Sequence, residues 1–274
     1  MDLSSEVLII AAFIFYFAAF IHGSIGFGFP MVATPLLALV TNIQTAIILT
    51  LIPTLLVNLV SIASEGEILY ALRRFLSLAL LAMVGSTIGT LILIFTNSQI
   101  FEALLALVII IYLLSERINI NLSWIYKYPR LSKVIFGISA GILGGLTNVM
   151  APVLIIYSLE SKHTKSEIIQ ASNFCFMFGK TIQLVLFSIH GRFNLSQLST
   201  SFVMLIVVSL ALYFGISIKK KINVDYYKRV LRVFLLILAV TLFIKVVHNT
   251  GITRQINTDA FFSRCAPYKC TGYL

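Results

Sequence analysis

Residues 141–152 read GILGGLTNVMAP. They lie within 133–157, an apolar stretch of a length that can cross a membrane, yet they carry three glycines, an asparagine and a proline. Glycine lets the backbone leave helical geometry and come close to a ligand, and proline removes a donor and frees the carbonyl one turn earlier. In hydrocarbon, freed backbone is tolerated only where protein or an aqueous cavity satisfies it. The stretch is therefore expected to face the protein interior. The first apolar stretch, 7–40, has the same character through HGSIGFGFPMVATP at 22–35.

The surroundings are those of a membrane protein. The chain is 59% hydrophobic and 11% charged, with mean hydropathy +1.01, whereas soluble domains carry about a quarter charged residues. A net charge of +10 does not point to nucleic acid. The basic residues flank apolar runs, as at Arg73 and Arg74 or Lys219, Lys220 and Lys221, without aromatic interleaving on a polar surface. They read as loop charges beside a lipid bilayer. Cys175, Cys265 and Cys270 lack the spacing of a metal site, so neither metal nor cofactor is expected, and a Cys265–Cys270 link in the tail stays open. Asp2 and Glu6 precede the first apolar run where a signal peptide carries basic residues, so that run reads as a retained segment.

A helix needs about 20 apolar residues to cross the hydrocarbon core. Windows of that kind fall at 43–63, 75–95, 100–115, 167–189, 198–218 and 230–247. The two broken stretches can each be one span, a span with an unwound centre, or a re-entrant hairpin. The expected fold is an all-α polytopic membrane protein with six full transmembrane helices plus two broken or re-entrant segments, or eight spans if these cross fully. The second half also repeats the first. GFPMVATP at 28–35 aligns with GLTNVMAP at 145–152, Gly66 with Gly191, Gly89 with Gly215 and Asn97 with Asn223. This divides the chain into repeats at 1–116 and 133–250, a cytoplasmic linker at 117–132 and a polar tail at 251–274. Re-entrant breaks place every strongly basic loop on one side, and three full spans per half then make the repeats inverted. Interrupted helices meeting near the midplane of inverted repeats are a construction of secondary transporters.

Candidate binding residues follow from the same stretches. Gly26, Gly28, Pro35, Gly144, Gly145 and Pro152 shape exposed helix N-termini, whose N–H groups and dipole favour anions. Ser24, Thr34, Thr147 and Asn148 add uncharged donors. Gly85 and Gly89, four apart in a smooth apolar run, read instead as helix-packing residues. In 167–189, Gln170, Asn173, Lys180 and Gln183 form one stripe of a helix. Lys180 lies too far from either end to snorkel, and a central lysine costs about 2.5–3.5 kcal/mol on insertion scales. It is expected to face the interior, where it can balance an anion or couple transport to protons. Thr50, Thr54, Asn58 and Ser61 make a weaker stripe around Pro53, each residue alone also being ordinary interhelical glue. Histidine as a residue type titrates near neutral pH, so His22 is a second proton-coupling candidate, or a satisfied interfacial histidine. Glu102 lies near a helix end and reads as solvated; Trp124, Tyr126 and Tyr128 read as interfacial anchors.

GSIGFGFPMVATPLLAL and GILGGLTNVMAPVLIIY resemble the two Gly/Pro-rich signatures of the sulfite exporter TauE/SafE family of membrane permeases, and the ending FGISIKKKINVDYYKRVLRVFLLILAVTLFIK is similar to the family's. The resemblance covers nearly all of 10–247. It departs where many members have clustered glycines before Pro-Pro and this chain has Asn148, Met150 and Ala151 before one proline. The resemblance implies export or uptake of small anions, sulfite or organosulfonates being the known type, by a multi-pass carrier of the plasma or inner membrane. It leaves self-association open. An anion channel is the alternative. An enzyme finds no support in GxSxG, HExxH or paired intramembrane aspartates.

Overall fold

The computed structural model describes residues 5–96, 98–115, 124–192, 195–219, 236, 239–241 and 243–245. These form α1 (Ser5–Ile25), α2 (Phe29–Val40), α3 (Ile43–Ser64), α4 (Ile68–Phe95), α5 (Ser98–Ser115), α6 (Trp124–Lys127), α7 (Pro129–Thr147), α8 (Ala151–Glu160), α9 (Lys165–Ile189) and α10 (Leu195–Ile218). Five of them, α1, α3, α4, α9 and α10, are long and apolar enough to cross a membrane. The expected windows from 43 to 218 are all helical. α4 begins at Ile68 and not at 75, because Arg73 and Arg74 are carried inside its first turns, with Arg74 paired to Glu167 of α9. The window at 230–247 lies largely outside the described residues, as do Asn97, Asn223, the tail and its two cysteines.

Both Gly/Pro stretches are hairpins. Phe15 in mid α1 stacks on Phe29 at the start of α2 with ring centroids 5.7 Å apart; a continuous helix would separate them by about 21 Å. Phe136 of α7 and Tyr157 of α8 lie 5.8 Å apart across the second hairpin. The return arms are short. α2 has 12 residues and α8 has 10, so they reach about 18 and 15 Å, roughly half of a bilayer core near 30 Å.

The hairpins point in opposite directions along α9. Short turns make α2 antiparallel to α3, and α8 antiparallel to α9. α9 bonds Gly66, between α3 and α4, through Gln170, and the chain just past its end bonds Ile94 near the end of α4 through Arg192, so α9 runs parallel to α4 and antiparallel to α3. α2 therefore runs with α9 and α8 against it.

Glycines set the closest packing. A Cβ on Gly141 would strike the Ala82 carbonyl oxygen, and one on Gly85 that of Ile138, so α4 and α7 touch backbone to backbone through Gly85, Gly89, Gly141 and Gly145. Gly23 of α1 and Gly215 of α10 meet in the same way. The packing role expected for Gly85 and Gly89 holds. Large apolar side chains such as Phe13, Phe95, Ile206 and Tyr213 are exposed on the outside, while Asn58, Asn148, Lys180 and Gln183 are buried. This is the distribution of a bundle whose outer solvent is lipid.

Candidate functional site

The polar interior gathers on α9 at two levels. Asn173 donates through Nδ2 to the Gly26 carbonyl in the first break at 2.7 Å. Ten residues on, Gln183 Nε2 donates to the Gly145 carbonyl at the second break at 3.1 Å. Ten helical residues span about 15 Å, so Gly26 and Gly145 sit at two levels of α9, although the two stretches meet directly where Asn148 reaches Thr34. They form two stations along one helix, because each hairpin tip comes from a different end.

At the first station the chain turns through Gly26 and Gly28, with φ of 100° and 109°. Such values favour glycine, which has no Cβ to clash. His22 closes the turn. Its Nδ1 accepts the Phe29 N–H at 3.2 Å and its Nε2 lies 2.8 Å from Ser61 Oγ. The accepting role of Nδ1 puts the ring hydrogen on Nε2, which donates to Ser61. His22 is thus a satisfied buried histidine, 1% exposed. Above it Gln170 holds the Gly66 carbonyl at 2.7 Å, beside an ion pair of Glu65 and Lys219.

At the second station Asn148 ends α7 with φ 67°, in the left-handed region that asparagine tolerates. Its Nδ2 donates to Thr34 Oγ1 at 2.6 Å and Thr50 Oγ1 at 2.8 Å, joining α2, α3 and α7. Its Oδ1 is buried without a partner among the described residues. Lys180 is 1% exposed and donates to Gln183 Oε1. No described carboxylate pairs with it. The first-turn N–H groups of α8, with Pro152 in that turn, have no intrahelical acceptor.

Other expected residues take smaller parts. The hydroxyl hydrogens of Ser24, Thr54 and Thr147 return to their own helices, at Phe20, Thr50 and Leu143. Pro35 is buried inside α2, and Gly144 packs against Met150. Asn58 is fully buried with neither side-chain atom partnered among the described residues. Glu102 departs from its expected solvation: it is 5% exposed and pairs with Lys245 at 3.3 Å. The helix-end position carried the wrong signal, since the chain returns to cover that end. Sequence reading passed over Ser86 and Thr90 of α4. Thr90 Oγ1 is buried without a partner among the described residues, and Ser86 bonds the Gly141 carbonyl at 3.3 Å. Their four-residue spacing, beside Gly85 and Gly89, was the available signal.

Five long apolar helices around a buried polar interior define a multi-pass membrane protein. The sequence profile of the sulfite exporter TauE/SafE family matches residues 10–242, and the chain belongs to that family. Its members are transporters and not enzymes, so this is a membrane transporter from a family that moves sulfur anions. Searches of curated proteins and of solved structures gave no match.

Proposed function

We propose that the protein is a secondary transporter that carries sulfite or an organosulfonate-type anion across the plasma membrane by alternating access, without ATP. One observation carries this reading: Lys180 is buried in mid α9 with Gln183 as its partner and no described carboxylate to neutralise it. A buried cation without a counter-ion is costly unless another anion supplies the charge. Lys180 and the first turn of α8 offer donors to the oxygens of such an anion.

The two homologous halves, 1–116 and 133–250, supply one hairpin each, joined by the cytoplasmic linker 117–132 and followed by the tail 251–274. The glycine contacts of α4 with α7 and of α1 with α10 each tie a helix of one half to a helix of the other. The moving bodies are then these exchanged pairs, with α9 between them. Proton coupling falls to Lys180 and not to His22, whose two nitrogens are already engaged.

The test is flux of radiolabelled sulfite, sulfate and a sulfonate into proteoliposomes, with and without a pH gradient. The expected result is saturable flux of sulfite or the sulfonate that responds to the gradient. Non-saturating flux with large unitary currents would make the protein a channel instead.

A further inference from the structure

One end of the bundle holds a cavity of about 600 Å³, a size typical of small-molecule sites. Arg74 of α4, Lys127 of α6, Lys133 of α7, Tyr157 of α8 and His163 in the α8–α9 turn line it, and no carboxylate among the described residues does. Arg74 is paired with Glu167, but Lys127 and Lys133 have no carboxylate partner among the described residues. Lys133 donates to Ser77 Oγ at 3.1 Å and Lys127 rests on the Tyr128 ring. Lys162 adds a further cation over Tyr126, with its Nζ 4.7 Å from the ring centroid.

His163 is placed to meet a ligand. Phe75 and Tyr157 hold its ring edge-on at 5.4 and 6.1 Å, and its Nδ1 is buried without a partner among the described residues. Burial keeps its imidazole below the ordinary range; Glu167 opposes this, and Arg74 and Lys133 reinforce it. The ring can therefore donate a neutral N–H to an anion. Exposed Tyr126 lines the cavity, and Tyr128 and Leu131, nearby in sequence, are exposed as well, an apolar flank suited to the bilayer edge. His163 precedes α9, and from Lys165 to Lys180 the helix runs about 22 Å, so this is not the second station.

We propose that this cavity binds a phosphate-bearing anion, the shared chemistry of an anionic lipid headgroup and of free phosphate. Several cations around a volume this large suit a phosphate group with a substituent better than a bare sulfite. Tyr157 lies on the arm whose first turn adjoins the second station, so an occupant ties that arm to α4 and α7.

The test uses the full-length protein in neutral detergent, titrated with inorganic phosphate and, separately, with short-chain phosphatidylglycerol, short-chain phosphatidylcholine being the control. Thermal stability is the readout. The expected result is a saturable rise in Tm with at least one of the first two probes, retained in Lys180→Met. Apparent affinity should fall roughly tenfold or more in Lys127→Gln/Lys133→Gln, the scale of losing charge-assisted hydrogen bonds. His163→Gln should weaken binding independently, which carries the test if the double variant does not fold. A response to phosphate assigns a free anion, and a response to phosphatidylglycerol alone assigns a headgroup. No response to either, an equal response to phosphatidylcholine, or wild-type affinity in the folded variants overturns the proposal.

Discussion

At the tip of the α1–α2 hairpin the Phe29 N–H is taken by His22 and the turn is made by glycines, whereas at the tip of α7–α8 an asparagine makes the turn and its carbonyl oxygen is left unpartnered among the described residues. The first tip is closed by the chain itself. The second is held to Gln183, the partner of Lys180, through the Gly145 carbonyl, and no described side chain caps the first turn of α8. Two stretches of similar sequence thus end in different chemistry, and the residues in the left-handed region mark the difference. Gly28 of the first stretch precedes α2 in the left-handed region, while Asn148 holds that conformation in the second and adds an amide that reaches Thr34 and Thr50.

The comparison can be broken most severely at the packing beneath the second hairpin. Gly141→Val drives a side chain into the Ala82 carbonyl and the Ser86 backbone. Overpacking of this kind costs about 3 kcal/mol or more where backbone must move. The expected outcome is loss of a monodisperse peak in detergent size-exclusion; a normal peak with unchanged Tm would contradict the backbone contact. Next in size is His22→Phe, which leaves the Phe29 N–H without a partner and removes the bond from α1 to Ser61 of α3. A lowering of stability by about 2 kcal/mol is expected, read as a fall in Tm. If His22 instead serves as the proton carrier, stability will hold while pH-driven flux disappears.

Asn148→Gly sharpens the comparison from the other side. Glycine keeps the left-handed turn without strain but deletes the amide, so the second tip becomes more like the first. Stability should fall by only about 1 kcal/mol, while flux falls far more than Tm predicts. Smallest is Gly28→Ala. Nothing lies within 4 Å of the added Cβ, but φ is 109°, so backbone strain of about 1 kcal/mol is the whole effect. Flux by the folded fraction should be unchanged.

Much of this was legible in the residues. Apolar length marked the long helices, and Gly/Pro content marked both breaks, because each signal is local. The α9 stripe was legible through its period, and burial of Lys180 through its distance from both ends of the run. The separation of the two stations was not. It depends on hairpin direction, which is fixed by contacts such as Phe15 on Phe29 and Gln170 on Gly66 between residues far apart in sequence. Glu102 was misread for the same reason, since its partner Lys245 is 143 residues away. Ser24 and Thr147 look like donors in sequence, yet a hydroxyl on a helix can always return to its own backbone.

The central claim is that Lys180 supplies the charge that holds the transported anion. It is tested by initial rates of radiolabelled sulfite and sulfonate uptake into proteoliposomes containing wild type, Lys180→Met or Lys180→Arg, at matched amounts of folded protein. The account predicts a loss of roughly tenfold or more in Lys180→Met, about 1.4 kcal/mol or more, with partial retention in Lys180→Arg. Uptake by Lys180→Met equal to wild type would contradict it.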